Sequence, residues 1–181
     1  MVRLVAPCPE LLDAYADALA RGWSPHTERD ISREQLALIR RDRAGFLRDL
    51  CDPTRMLRTT AGKTVPRLPG SAFWILDQDF CGAINFRHLI GTDDLPDHVS
   101  GHIGYTIVAW RRGAGRATAA LRLVLPVARA AGLARVMITC DVDNHASRRV
   151  IEKVGGVRTS DGPPLAPGLP IKMRFWVDLG D

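Results

Sequence analysis

The chain has 181 residues, 46% hydrophobic and 25% charged, a mix too apolar for a disordered chain and ordinary for one globular domain. Twenty-five basic against 20 acidic residues leave a formal charge of +5, which favours anionic ligands without selecting among a phosphorylated cofactor, RNA and an acidic membrane. No run approaches the roughly 18 apolar residues of a membrane span, and the start, MVRLVAPCPELLDAY, lacks the apolar core of a signal peptide, so a single cytoplasmic domain over 1–181 is expected.

Residues 2–6 read as a short strand closed by Pro7 and Pro9. Residues 10–21 follow as an amphipathic helix, because Leu11, Leu12, Tyr15, Ala18 and Leu19 recur at helical spacing. Ser32 stands as an N-cap with Gln35 three residues on, as in a capping box, and predicts a second helix to about residue 50, before Asp52-Pro53. Its polar side, with Arg33, Arg40, Arg41, Arg43 and Arg48, reads as a solvated face. Residues 54–70, with Pro66, Pro69 and Gly70, read as a loop. Strand patterns cover 72–77 and 81–89 around a turn at Gln78-Asp79, residues 90–101 are polar and turn-rich, and 102–109 form another strand. A helix is expected over 115–131, with a kink or break at Pro126, which offers no amide to the Arg122 carbonyl. A strand at 135–141, a helix at 145–154 stopped by Gly155-Gly156, a Pro- and Gly-rich segment at 160–170 and a strand at 171–179 complete the order. That order predicts a mixed α/β sheet layered with helices.

Cys8, Cys51, Cys81 and Cys140 stand singly, with no C-x-x-C pair. The spacing argues against a structural zinc site and against disulfides, and predicts reduced, mostly buried thiols; no metal is expected.

The informative stretch is 102–156, centred on Trp110-Arg111-Arg112-Gly113-Ala114-Gly115-Arg116-Ala117-Thr118 between a strand and a helix. Glycines at 113 and 115 let successive backbone N–H groups turn onto a concave nest, and the helix start adds its own free amides and dipole. With Arg111, Arg112 and Arg116 nearby, the loop suits a phosphate or pyrophosphate. It is not a P-loop, which needs G-x-x-x-x-G-K-[ST], nor a dinucleotide fingerprint, since Thr118 holds the third glycine position. It matches R-x-x-G-x-A from Arg112 to Ala117. An ordinary Gly-containing turn is the plain alternative for the loop alone. A second strand–helix unit follows, in which Asn144 caps a helix carrying Ser147, Val150, Ile151 and Val154 on one face.

These motifs resemble the GNAT N-acetyltransferase superfamily, most strongly over residues 81–156. The runs G-A-I-N-F-R-H, G-H-I-G-Y and I-T-C-D-V-D-N-H-A-S-R-R-V-I-E-K-V-G-G are similar to an uncharacterised bacterial branch of predicted acetyltransferases. The resemblance implies a central twisted, mostly antiparallel sheet with helices on both faces, and acetyl-CoA as donor. It implies that main-chain groups near Ile107 and Val108 meet the pantetheine arm and acetyl carbonyl. Amides of Gly113, Ala114, Gly115, Arg116, Ala117 and Thr118, with Arg112, would hold the pyrophosphate, Asn144 would meet pantetheine, and Ser147 would lie near the sulfur.

The implied reaction is direct attack of a primary amine on the thioester. A proton must leave the ammonium, and the carbonyl oxygen needs a donor, for which a strand amide near Val108 is expected. Many relatives carry a Tyr proton donor four residues after the position of Ser147; here that position is Ile151, which leaves Ser147 as the substitute. His102 is the first candidate base, with His88 and Asp141 as options, and each histidine also reads as a structural residue. Tyr105 and Trp74 read as core aromatics or as walls of an acceptor pocket. Other classes stay open: a non-catalytic acyl-CoA sensor or interaction module, an acetyltransferase acting on aminoacyl-tRNA, and, behind these, a nucleic-acid binder. A homodimer is compatible with the fold, and no membrane partner is expected.

Overall fold

In chain order the elements are β1 (Arg3–Val5), α1 (Leu12–Ala20), α2 (Ser32–Arg41), α3 (Arg43–Cys51), β2 (Met56–Arg58), β3 (Thr64–Pro66), β4 (Gly70–Asp77), β5 (Asp79–Arg87), β6 (Ile103–Ile107), α4 (Arg116–Ala130), β7 (Arg135–Asp141), α5 (His145–Glu152), β8 (Val157–Arg158) and β9 (Lys172–Asp178). This computed structural model describes residues 1–27, 29–59, 62–159, 161–162 and 170–180. Seven strands hydrogen-bond in the order β1-β4-β5-β6-β7-β9-β8, while β2 and β3 pair by themselves. The sheet is mixed: β1 runs antiparallel to β4 and β7 antiparallel to β9, whereas β6 runs parallel to β7, with Ile103 opposite Ile138.

The chain forms two compact units. The first comprises Met1–Asp52, Ser71–Asn85 and Tyr105–Ala120. Its core is aromatic. Leu12, Tyr15, Ala18 and Leu19 of α1 are all buried, as their spacing predicts, and join Trp23, Phe46, Trp74 and Phe80. The Tyr15 ring stacks on Trp74 at 4.8 Å between centroids and meets Trp23 and Phe80 edge-on. The Tyr15 hydroxyl, drawn into this core, hydrogen-bonds the Gln35 side chain. Gln35 therefore does not serve the expected capping box; Ser32 is the first residue of α2, and its amide donates to Asp30 Oδ1 at 2.8 Å. The single helix expected over 32–50 is two helices. Asp42 leaves the helical backbone (φ −155°, ψ 96°), and its Oδ1 caps α3 by accepting the Gly45 amide at 2.8 Å.

The second unit comprises Pro53–Gly70, Phe86–Gly104 and Leu121–Asp181. Along β7, Val136, Ile138 and Cys140 alternate inward, and across the ladder Met173, Phe175 and Val177 of β9 are buried as well. The stretch expected to be a loop at 54–70 contains the β2–β3 hairpin, with Met56 opposite Pro66 and Arg58 opposite Thr64. Its prolines hid it, since Pro66 sits at a strand end where its missing amide costs little. Pro126 does not break α4, which is continuous from Arg116 to Ala130. Arg122 and Pro126 are both exposed, so water can serve the carbonyl that proline leaves unpaired. Most of the segment expected to be irregular, 160–170, lies outside the described residues.

Candidate active site

β6 ends at Ile107, and a 3-10 turn over Ala109–Arg111 carries the chain into the loop that opens α4. Gly113 and Gly115 adopt φ of +84° and +72°, and the positions their Cβ atoms would take are open. The first backbone bond of α4 runs from the Ala119 amide to the Gly115 carbonyl at 3.0 Å. Among the described residues, the amides from Gly113 to Thr118 therefore have no acceptor. Six consecutive free N–H groups at a left-handed turn and a helix start make this loop a candidate anion cradle.

The arginines around it are differently employed. Arg112 is exposed and donates from Nε to the Ile107 carbonyl at 3.1 Å. Arg116 donates from Nε to Asp77 Oδ2 at 3.0 Å and from Nη1 to the Arg111 carbonyl at 3.0 Å. Arg111 in turn pairs with Asp79. Hydrogen bonding to the Met1 amine, with Arg116 adding attraction, holds the Asp77 carboxyl below the usual range. The positive character of the cradle thus rests on amides and Arg112 more than on the arginine count. Trp110, 40% exposed, lies beside the loop with the Arg21 guanidinium 3.5 Å over its ring.

One expectation about this region is corrected. Val108 is fully buried, and its amide donates to the Cys81 carbonyl at 2.9 Å, so it is not free to meet an acetyl carbonyl. The Ile107 carbonyl already accepts from Arg112 and keeps a second lone pair.

In the second unit, Asn144 caps α5, with Oδ1 accepting the Ser147 amide at 3.0 Å. Its amide nitrogen has no partner among the described residues. Ser147 is half-buried beside Cys140, whose thiol is pushed up to about 11 by burial and the Asp141 charge despite a hydrogen bond from Ser147. Ile151 is fully buried, a core position rather than one facing a leaving group. Asp141 is held by Lys172 Nζ at 2.7 Å.

The two histidines differ. His102 is fully buried; its Nδ1 accepts the Met137 amide at 2.9 Å, which fixes the proton on Nε2, and burial pushes its pKa down to about 4. A ring whose one lone pair is already occupied favours the structural reading of His102 over its reading as base. His88 is half-buried, stacked on Phe86, and donates from Nδ1 to the Leu89 carbonyl at 3.0 Å. That bond leaves the Nε2 lone pair of His88 available.

A family model described as an acetyltransferase (GNAT) domain matches residues 9–157. The chain is a GNAT acetyltransferase. No curated protein matches it. Solved GNAT-like structures match over nearly the whole acetyltransferase chain. RimJ of Mycobacterium smegmatis in complex with CoA-disulfide is 20% identical, with TM-score 0.63, covering 98% of this chain and 81% of that one. The microcin C7 self-immunity acetyltransferase MccE, in complex with acetyl-CoA and AMP, is 14% identical, with TM-score 0.58 and coverages of 98% and 92%. A Salmonella typhimurium acetyltransferase that modifies the N-terminal serine of ribosomal protein L7/L12 is 15% identical, with TM-score 0.58 and coverages of 98% and 94%. At these identities the matches speak for the fold of the acetyltransferase. No helix among its described residues is long and apolar enough to cross a membrane. Sequence reasoning missed Asp77 and Asp79 beside the cradle; two acids flanking a tight turn were the available signal, but nothing local named their arginine partners.

Proposed function

We propose that this acetyltransferase takes its acetyl group from acetyl-CoA and passes it to a primary amine of a small molecule or peptide. The observation that carries this reading is the run of free amides from Gly113 to Thr118, since a diphosphate supplies the acceptor oxygens they lack. Relatives of the same fold bound to acetyl-CoA or CoA-disulfide support it. Arg112 adds charge to the cradle. The amide nitrogen of Asn144 donates to pantetheine, and Ser147 serves the sulfur.

In the transfer the amine nitrogen attacks the thioester carbon, the carbon–sulfur bond breaks, and the thiolate departs with the electron pair. An ordinary amine with a pKa near 10 is almost wholly protonated at neutral pH, so a base must take one proton before attack. His88 Nε2 is that base in this reading, because its lone pair is free where that of His102 Nδ1 is not. Ser147 hydrogen-bonds the departing thiolate, which as the anion of a thiol of pKa about 8.5 leaves readily and takes its proton from water.

Calorimetric titration with acetyl-CoA, CoA and ATP tests the donor, followed by an acceptor screen that reads thiol release. Tight binding of both CoA species and weak binding of ATP is expected. Equal binding of all three removes the reading, and acetyl-CoA binding without any acceptor-dependent release of CoA leaves only a sensor.

A further inference from the structure

The cradle loop is bracketed by two ion pairs that reach the same β-hairpin. Asp77 closes β4 and Asp79 opens β5, separated only by Gln78, which turns the chain at φ +67°. Arg116, the first residue of α4, is 17% exposed and meets Asp77, which is 23% exposed. Arg111, the last residue of the 3-10 turn, meets Asp79. Arg116 also donates to the Arg111 carbonyl, so the two ends of the loop are joined to each other as well as to the hairpin. Only residues 112–115 lie between these pins, and two of the four are glycines. A glycine-rich loop loses much conformational entropy when a ligand orders it. Pins that hold its ends beforehand reduce that cost and strengthen binding without touching the ligand.

We propose that Asp77 and Asp79 are positioning residues for the phosphate loop, holding Arg116 and Arg111 so that the amides of 113–118 converge before the diphosphate arrives. The inference rests on the acetyl-CoA reading above. It inverts the simple charge expectation. An acid beside an anion site repels the anion, so neutralising it should tighten binding if charge alone mattered. If the acids position the loop, neutralising them weakens binding.

The test is calorimetric titration of CoA into the full chain and its Asp77→Asn, Asp77→Glu and Asp79→Asn variants, with pantetheine, which lacks the diphosphate, as the second ligand. Asp77→Asn weakens CoA by about tenfold, a mid-range coupling for residues in one salt-bridge network. Asp79→Asn, at an exposed carboxylate that tolerates replacement, weakens it by about threefold. Asp77→Glu restores most of the affinity, and pantetheine binds all four proteins alike. Loss of pantetheine binding together with CoA would mark general damage and overturn the assignment. So would CoA binding in Asp79→Asn as tight as in the unmodified chain, or tighter, even where Asp77→Asn fails to fold. Failure of the unmodified chain to prefer CoA over ATP would instead strike the acetyl-CoA reading.

Discussion

His102 makes a prediction in which stability and catalysis separate. In the folded chain its pKa lies at about 4, against about 6.5 unfolded. Burial is the largest cause; Arg87 and His88 add repulsion, and the Asp93 charge opposes the shift. Between pH 6.5 and 4 the unfolded chain therefore binds more protons at this site than the folded one, and stability falls as the pH falls. A difference of about 2.5 units at 1.36 kcal/mol each corresponds to about 3 kcal/mol lost across that window. For a chain of this length that is about 6–12 °C in Tm. His102→Asn keeps an acceptor for the Met137 amide and removes the titration. Urea unfolding followed by circular dichroism at pH 7, 6, 5 and 4.5 should show the unmodified chain losing stability more steeply than the variant. Once an acceptor is known, the variant should retain its turnover and pH profile. Equal losses in the two proteins, or a turnover that collapses with His102, would refute the assignment of this ring to structure.

Gly115→Val places a β-branched residue at φ +72° in open space, so strain of about 2 kcal/mol is relieved by moving the loop, and acetyl-CoA affinity falls about thirtyfold by calorimetry while Tm moves only a few degrees. Gly82→Ala acts oppositely. A Cβ there would stand 2.0 Å from the Thr106 carbonyl oxygen at φ +149°, and chemical denaturation should show about 3 kcal/mol of lost stability. At pH 8 a thiol of pKa about 11 is ionised in roughly one molecule in a thousand, so alkylation with mass-spectrometric mapping should find exposed Cys51 modified well before buried Cys140; the reverse order would contradict the burial of β7.

The parts of this architecture that the sequence made legible are those written in local patterns. The α1 face, the alternation along β7 and the glycines of the cradle each announce themselves within a dozen residues. The failures share a cause. Asp42 falls inside the stretch that reads as one helix over 32–50, because an N-cap and a solvated acid are the same letter until the backbone turns. Gln35 was claimed by a tyrosine 20 residues away. His102 stood open between base and structural residue because its partner, the Met137 amide, lies 35 positions on. The Val108 amide looked available because a strand read alone does not show which neighbour takes its donors. At the cradle the chain named the loop, but only pairings 32 and 39 residues apart showed that Arg111 and Arg116 are already engaged.

The indole of Trp110 gives the protein a built-in optical gauge. Its ring is part-open to solvent, touches the Arg21 guanidinium, and stands three residues before Gly113. A polyanion settling on the neighbouring amides would alter the field and hydration at that ring, and so shift its emission. Occupancy of the cradle would then be readable in a cuvette as a change over the steady emission of Trp23, Trp74 and Trp176, with no dye attached and no acceptor in hand.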